Sequence, residues 1–475
     1  MKNILTVGVL AIVSFVASPL ASRGDVPEIP KNLKPGDYLE NIIPVRDRVQ
    51  MMERALRWKK ENALPKIMRE QNVDMWIIRN DEADLYYNNE GPVYSSLLPA
   101  DFQGMTLPSA VDPDRRGVGG QELPLFMMFR DTGSEIEYIE PADYAHITEL
   151  VEKYDPKTIA IGTHNNEPML EALGSEHAGR SIDSWLVGIR WLEWMSPEQI
   201  EMFRYVMGVH NDLIAEGFSN VAITPGVTTS DDLNWWFRHR ARELSLEMEN
   251  HPSIRVRRSP ANIKKYPEAA EEFPASNANS VIIRPGDFVS CDMDIRLLGL
   301  VTDVHQFAYV LDEGESEIPQ NLVVAFDKAN NMQDLISKEF VVGKTGKEIQ
   351  DASKAIPSTS DVVNTSGRFL AFHPPAMFIR RYQLFGFMFW KGSYVAGIAS
   401  WPKYYPTSIV SDQHKLSYST VHVFHPGISV QVEGWGEDGE SEGMNLGVGQ
   451  VVAFTEENGF EFLNRSQTLG LHVIR

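Results

Sequence analysis

The chain has 475 residues, of which 43% are hydrophobic and 23% are charged, and its formal net charge is −21. This is the composition of a globular protein of two or three domains, and the acidic balance argues against nucleic acid or an anionic membrane as a partner. The sequence contains one cysteine, Cys291, so no intrachain disulfide can form and the fold must be held by core burial.

The first residues are typical of a secretory leader. Lys2 supplies the positive start, residues 4–16 supply an apolar core, and Ala17–Ala21 supply small residues suited to cleavage. A membrane anchor is the alternative, but the apolar run is shorter than the roughly 20 residues that span a bilayer. We expect a signal peptide over residues 1–22 and an exported mature protein, periplasmic or secreted, without stable membrane insertion.

Residues 30–190 have the pattern of an α/β domain. Helical periodicity covers residues 46–71, where Pro65 is expected to interrupt the helix. Compact apolar runs that predict buried strands follow at residues 73–78, 125–129 and 158–161. Residues 97–120 are rich in Pro, Gly, Asp and Arg, which predicts a long loop.

A second domain, over residues 195–475, begins with a helix-start signal. Ser196 stands at the expected cap, Pro197 at the first helical position and Gln199 three residues after the cap. More helices are predicted from a cap near Ser230 and over residues 321–339 and 345–356, whereas residues 280–311 and 421–474 are β-rich. Mixed helices and hairpins predict an α+β domain.

The β-rich stretch 289–311 reads as a hairpin that contains two carboxylates, Asp292 and Asp303. If the turn centres on Leu297–Leu298, antiparallel pairing places the two acids directly opposite each other. Carboxylates held that close repel each other unless a positive charge lies between them, and a divalent metal ion is the usual solution. The alternative is a solvated hairpin with two exposed acids.

A second pair of acids follows the same logic near the end of the chain. Residues 430–433 and 451–456 are strand-like and separated by a Gly- and acid-rich loop. Antiparallel pairing of these strands would bring Glu433 near Glu456. Four acids drawn together without a counter-charge would be costly, so the two pairs predict a two-metal site.

No nucleotide-binding, zincin, thioredoxin or α/β-hydrolase motif occurs in the sequence. A basic and aromatic block does occur, because no Asp or Glu stands between Asp361 and Asp412. We consider three interpretations of this block: a buried aromatic segment of the second domain, a pocket lining that faces a carboxylate-bearing ligand, and a local sequence anomaly such as a shifted reading frame.

In these motifs the chain resembles the pita-bread metallopeptidases, which include aminopeptidase P, prolidase, methionine aminopeptidase and creatinase. It is similar in particular to exported bacterial Xaa-Pro-peptidase-like members. The likeness extends through ALPKIMREQNVDMWIIRNDE, TPGVTTSDDLNWWFR, NNMQDLISKEFVVGKTGKEI and FLNRSQTLGLHVI. It implies a creatinase-like N-terminal α/β domain followed by a pita-bread α+β domain with a curved antiparallel sheet.

The resemblance also implies a site. Two divalent ions, of Mn, Zn or Co, would be bound by Asp292, Asp303, Glu433 and Glu456, and Glu433 would carry the proton to the leaving nitrogen. The family adds a histidine from a Gly-flanked H-x-x-G segment, which is not found here. His373 is the first candidate for that ligand, and the alternatives are His414, His422 and His425.

Three functions stay open on this interpretation. The first is a metalloaminopeptidase or prolidase-type enzyme that cleaves Xaa-Pro peptides. The second is a homologue that binds metal or peptides without hydrolysing them. The third uses the metal site on a small non-peptide substrate, as creatinase-like relatives do. Dimers are common in the family, so a homodimer is expected.

Overall fold

The computed structural model describes residues 27–79, 125–162, 166–248, 251–267, 280–366, 370–373, 389–390, 393–394, 415–436, 439–465 and 470–475. The predicted leader and the predicted loop 97–120 lie outside these ranges, as do His414 and most of the acid-free block. None of the helices within these ranges is both long and apolar enough to cross a membrane.

Two helices precede the first sheet, and a π-helical turn at Lys59–Ala63 joins them. They are α1 (Val45–Trp58) and α2 (Leu64–Glu70). Pro65 lies in the first turn of α2, directly after this π-helical turn. The predicted interruption at this proline is confirmed.

The first sheet is mixed and five-stranded, in the order β3-β2-β1-β4-β5. Its strands are β1 (Met75–Arg79), β2 (Phe126–Asp131), β3 (Ile136–Ile139), β4 (Ile159–Ile161) and β5 (Ser181–Asp183). The helices that accompany it are α3 (Tyr144–Tyr154), α4 (Glu167–Ala178) and α5 (Trp185–Glu193).

Side chains of β1 alternate between the two faces of this sheet. Trp76 packs in an apolar cluster with Ile67 of α2, and Met75 packs in another with Leu150 of α3. Helices thus cover both faces of the sheet, as in an α/β unit. The three apolar runs predicted to be buried strands correspond to β1, β2 and β4, and this prediction is confirmed.

The second half of the chain begins with α6 (Pro197–Gly217). Ser196 caps it in a reciprocal pair with Gln199, as predicted. The other helices are α7 (Ser230–Glu243), α8 (Pro260–Lys265), α9 (Gln320–Ser337) and α10 (Gly346–Ala355). The cap of α7 is Thr229, one residue before the predicted position, because its hydroxyl accepts the N–H of Asp232.

The strands of this half form several small sheets, which are antiparallel except for the parallel pairing of β10 with β20. One sheet has the order β20-β10-β7-β6, a second β12-β15-β18-β19 and a third β11-β16-β17, while β8-β9 and β13-β14 are short hairpins. The first ten of these strands are β6 (Ser253–Arg257), β7 (Phe288–Met293), β8 (Arg296–Leu297), β9 (Leu300–Val301), β10 (Val304–Val310), β11 (Val362–Asn364), β12 (Leu370–His373), β13 (Phe389–Trp390), β14 (Ser393–Tyr394) and β15 (Thr420–Pro426). The remaining strands are β16 (Ile428–Val432), β17 (Glu442–Asn445), β18 (Gln450–Thr455), β19 (Gly459–Phe462) and β20 (His472–Ile474).

The sheet that contains β7 and β10 is covered on both faces. One face packs with α6 in a core that includes Val206 and Val304, and the other packs with α9 in a core that includes Phe307 and Phe326. An α/β unit is thus followed by an α+β unit built on antiparallel strands, and the predicted fold class is confirmed. The residue at which one domain ends and the next begins stays a prediction.

Candidate metal centre

The predicted hairpin exists, but its register differs from the prediction by one residue at the turn. Strands β8 and β9 close on Leu298 and Gly299, both with positive φ, of 56° and 70°. This two-residue connection has the backbone twist favoured in hairpins. The ladder therefore pairs Asp292 with His305. The expectation that Asp292 directly opposes Asp303 is wrong, because moving the turn centre by one residue moves every partner by two.

The two aspartates nevertheless come together, and a histidine joins them. Ligand atoms of Asp292, Asp303 and His305 all lie within 4.8 Å of one another. Asp303 is 8% exposed and immediately precedes β10. Two carboxylate oxygens and one imidazole nitrogen form a donor set that suits a divalent cation such as Mn, Zn or Co.

The charges of this cluster interact strongly. Nε2 of His305 lies 2.6 Å from a carboxylate oxygen of Asp292. Burial alone would lower the pKa of His305, but the negative charges of Asp292 and Asp303 outweigh burial, so this pKa is raised. Burial alone would raise the pKa of Asp292, but the neighbouring His305 outweighs it, so that pKa is lowered.

A second imidazole stands beside the first. The ring of His425, on β15, is 5% exposed, and its centroid lies 4.0 Å from that of His305 in an edge-to-face arrangement. The charge of His425 also contributes to lowering the pKa of Asp292. A Cβ atom at Gly449 would lie only 3.1 Å from the amide nitrogen of His305 and 3.4 Å from the ring of His425, so a side chain at this position would crowd both histidines.

The other candidate histidines are placed differently. The backbone of His373 lies in β12, opposite Val423, but its side chain is outside the described part of the structure, as is all of His414. His422 is buried on β15 with its ring 5.7 Å from that of Phe454. Three positions separate His422 from His425, so the two side chains point to opposite faces of the strand. Within the described residues, His425 is thus the candidate whose ring contacts the cluster.

The predicted partnership of Glu433 and Glu456 is not formed. Glu433 follows β16, which pairs with β11 and β17, whereas Glu456 follows β18, which pairs with β15 and β19. Both residues are exposed. The prediction that their strands pair is wrong, because each strand has other neighbours. Their assignment as metal ligands stays a prediction from the resemblance.

Sequence reasoning missed His305. It named the two aspartates but not the histidine two residues after the second one. Residues at i and i+2 lie on the same face of a strand, so the run Asp303-Val304-His305 contained the signal. An Asp-x-His segment facing Asp292 would have predicted the cluster that the structure shows.

Comparisons with known proteins are limited to structural likeness. No protein-family model matches the chain, and no curated protein matches it. The X-Pro aminopeptidase from Thermotoga maritima is similar in structure, with 12% identity, a TM-score of 0.48, and coverage of 86% of this chain and 99% of that one.

Two further solved structures give comparable values. A dipeptidase from Pyrococcus horikoshii has 13% identity and a TM-score of 0.47, and the match covers 87% of this chain and 98% of that one. The prolidase from Pyrococcus furiosus has 13% identity and a TM-score of 0.41, with coverage of 85% and 98%. At these identities, and with TM-scores below 0.5, a functional conclusion must come from the site itself.

Proposed function

We propose that this protein is a divalent-metal-dependent hydrolase of the Xaa-Pro peptidase type, with its metal centre at Asp292, Asp303 and His305. The convergence of these three donors within 4.8 Å carries the proposal. The motifs that resemble pita-bread metallopeptidases supply the class of reaction and substrate. A divalent ion held by these residues would lower the pKa of a water molecule towards neutral and would polarise a substrate carbonyl.

The residues of the cluster would contribute differently to the binding of a dication. The carboxylates of Asp292 and Asp303 offset its charge, and His305 supplies a nitrogen donor once its proton is lost. His425 lies against His305, on the neighbouring sheet, and so adds a second imidazole at the edge of the cluster. This arrangement accounts for one ion. A second ion would need donors beyond these residues, and the resemblance implies Glu433 and Glu456 as further ligands of a two-ion site.

The test uses metal-free protein to which Mn²⁺, Zn²⁺ or Co²⁺ is restored singly. Hydrolysis of Xaa-Pro dipeptides and of tripeptides with proline in second position should depend on the added metal. His305→Asn should abolish it, whereas His239→Asn, which removes an exposed imidazole on α7, should not. Activity that survives chelation, or that His305→Asn leaves unchanged, would refute the proposal.

A second candidate is a metal-binding homologue that does not hydrolyse peptides. The exposed positions of Glu433 and Glu456, at the ends of strands in different sheets, favour it. The two candidates separate in one experiment, since the second predicts metal binding that Asp303→Asn weakens but no turnover of any peptide in the panel.

Export is also part of the proposal, because residues 1–22 have the pattern of a cleaved leader. Mass spectrometry of the mature protein should find a start within a few residues of Ser22. An intact Met1 in the soluble mature form would contradict export without affecting the metal centre.

A further inference from the structure

Three consecutive polar residues lie in the middle of α6. His210, Asn211 and Asp212 are 0%, 6% and 7% exposed, and they follow a run of buried residues, Tyr205–Val209, with no charged member. Buried polar groups are costly unless each is hydrogen-bonded, so their contacts show what the helix holds in place.

Two of the three contacts reach the strand that carries the metal donors. Residues of β10 alternate in direction, so Val304 packs in the core shared with α6 while Phe307 packs in the core on the opposite face. Thr302 and Gln306 each lie two positions from Val304 and therefore face α6, as it does. Asp303 and His305 have the opposite parity and face the metal cluster.

The first contact is made by His210 to Thr302, the residue immediately before Asp303. Nδ1 of His210 and Oγ1 of Thr302 are 2.7 Å apart, and both residues are fully buried. The same hydroxyl accepts the N–H of Ile295 at 3.0 Å, which ties the two strands of the hairpin together at its neck. The position of Thr302, and with it the backbone that leads into Asp303, is thus fixed from α6.

The second contact is made by Asn211 to Gln306, the residue immediately after His305. Nε2 of Gln306 donates to Oδ1 of Asn211 at 2.7 Å, and Nδ2 of Asn211 donates to the carbonyl of Asn464, also at 2.7 Å. The other end of the Gln306 amide is occupied as well, because Oε1 accepts from Nε2 of His472 at 2.6 Å. Gln306 is 1% exposed and cannot move without breaking this chain of bonds.

We propose that His210 and Asn211 are positioning residues of the metal centre. From the opposite face of the strand, His210 holds the residue before the donor segment Asp303–His305, and Asn211 holds the residue after it. The inference rests on the proposed metal binding. An ion binds tightly when its ligands are held in place before it arrives, and the hydrogen-bond partners that hold them influence affinity although they never touch the ion.

The third residue of the run supplies a matched control. Asp212 lies on the same helix and is buried to the same degree, but its carboxylate accepts the amide hydrogens of Gly36 and Tyr38, each at 2.9 Å. It thus holds the N-terminal lead-in and not the donor strand. A purely structural role would make substitutions at all three positions equivalent, each lowering stability and none altering the metal affinity of the folded protein.

The experiment measures the dissociation constant of Mn²⁺ by calorimetry on full-length, metal-free protein, and the free energy of unfolding by urea on the same samples. His210→Leu and Asn211→Leu should each weaken Mn²⁺ binding roughly 10-fold or more, in line with changes to the partners of metal ligands. His210→Asn and Asn211→Asp retain an atom able to bond Thr302 or Gln306, so each should recover most of the affinity. Asp212→Asn should lower stability with Mn²⁺ affinity unchanged.

The electron paramagnetic resonance spectrum of Cu²⁺ bound in place of Mn²⁺ gives an independent readout, because the nitrogen hyperfine pattern should change in the two Leu variants and be restored in the conservative ones.

The inference is overturned if wild-type protein binds Mn²⁺ and the Leu variants bind it equally well, or if Asp212→Asn weakens binding as much as they do. Wild-type protein that binds no metal would overturn the proposed function, and the inference with it. Where a Leu variant fails to fold, Thr302→Val takes its place, because valine keeps the size of the side chain and removes the hydroxyl that contacts His210. This variant should weaken Mn²⁺ binding, and an unchanged affinity would overturn the inference.

Discussion

His305 lies directly across the antiparallel ladder from Asp292, and its Nε2 atom is 2.6 Å from the aspartate carboxylate. In the protein without bound metal, this is an ion pair that favours the imidazolium form, and the pKa of His305 is raised accordingly. A metal ion needs the same nitrogen without its proton. Proton and metal therefore compete for one site.

This competition predicts a pH dependence of metal binding. The raised pKa of His305 means that the imidazole loses its proton only above its ordinary range near 6.5. Mn²⁺ affinity should therefore rise as the pH increases through neutrality, by up to about tenfold per unit while His305 is still protonated. Calorimetric dissociation constants at pH 6, 7 and 8 would show it. A constant affinity over this range would mean that His305 is not a ligand.

The hairpin shows which structural features local sequence patterns predict and which they do not. Two β-rich runs on either side of a turn were enough to predict strands β7 and β10, and the helix-start signal at Ser196 was enough to place helix α6. The register was not predictable to the residue, because the turn at Leu298–Gly299 requires positive φ at a leucine, which sequence preferences disfavour. That leucine is 4% exposed, so core packing decides the turn.

The site was predictable only where its donors are neighbours in sequence. Asp292, Asp303 and His305 lie on one hairpin, so the alternation of side chains along its strands is enough to place them on one face. The approach of His425 depends on how the β15 sheet meets β10, and the partners of β16 and β18 are also set by long-range packing. No local pattern specifies such pairings, which explains why the expected pairing of the Glu433 and Glu456 strands was wrong.

A buried lysine predicts a second pH effect, this time on stability. Lys59 is 5% exposed, donates to the carbonyl of Trp191 at 2.6 Å and lies 4.4 Å from the centre of the Trp191 ring. Burial lowers its pKa to about 7, although the charge of Glu193 acts in the opposite direction. The unfolded chain, with the ordinary pKa of 10.5, binds more protons between these values. The free energy of unfolding therefore rises with pH between about 7 and 10.5 because of this group, and the group contributes no pH dependence below 7, where both states are protonated.

The matched pair of variants is Lys59→Met and Lys66→Met, the second at an exposed position on α2. In wild-type protein this group should add about 2 kcal/mol to the free energy of unfolding between pH 7 and pH 9. Lys59→Met should remove that increment from urea unfolding curves, and Lys66→Met should keep it. Equal pH dependence in wild type and Lys59→Met would show that the lysine is not a buried charge.

A buried ion pair predicts a large, partner-dependent loss of stability. Arg258 and Asp287 are fully buried and form two hydrogen bonds of 2.7 Å. Arg258→Met leaves a buried carboxylate without its counter-charge and should cost about 3–5 kcal/mol. The double variant Arg258→Met/Asp287→Leu should recover most of this loss, because no charge then remains buried. Urea unfolding of the three proteins tests it, and simple additivity of the two substitutions would contradict the prediction.

The most direct test of the metal centre is calorimetric titration of Mn²⁺ into metal-free wild-type protein and Asp303→Asn. Asparagine keeps the shape of the side chain and one oxygen but removes the charge that offsets the dication. Wild type should bind one equivalent at this cluster, and Asp303→Asn should lose more than the roughly 10–100-fold that changes to ligand partners cost. Asp351→Asn, at an exposed carboxylate on α10, should bind as wild type does. Equal stoichiometry and equal affinity in wild type and Asp303→Asn would contradict the assignment of the centre.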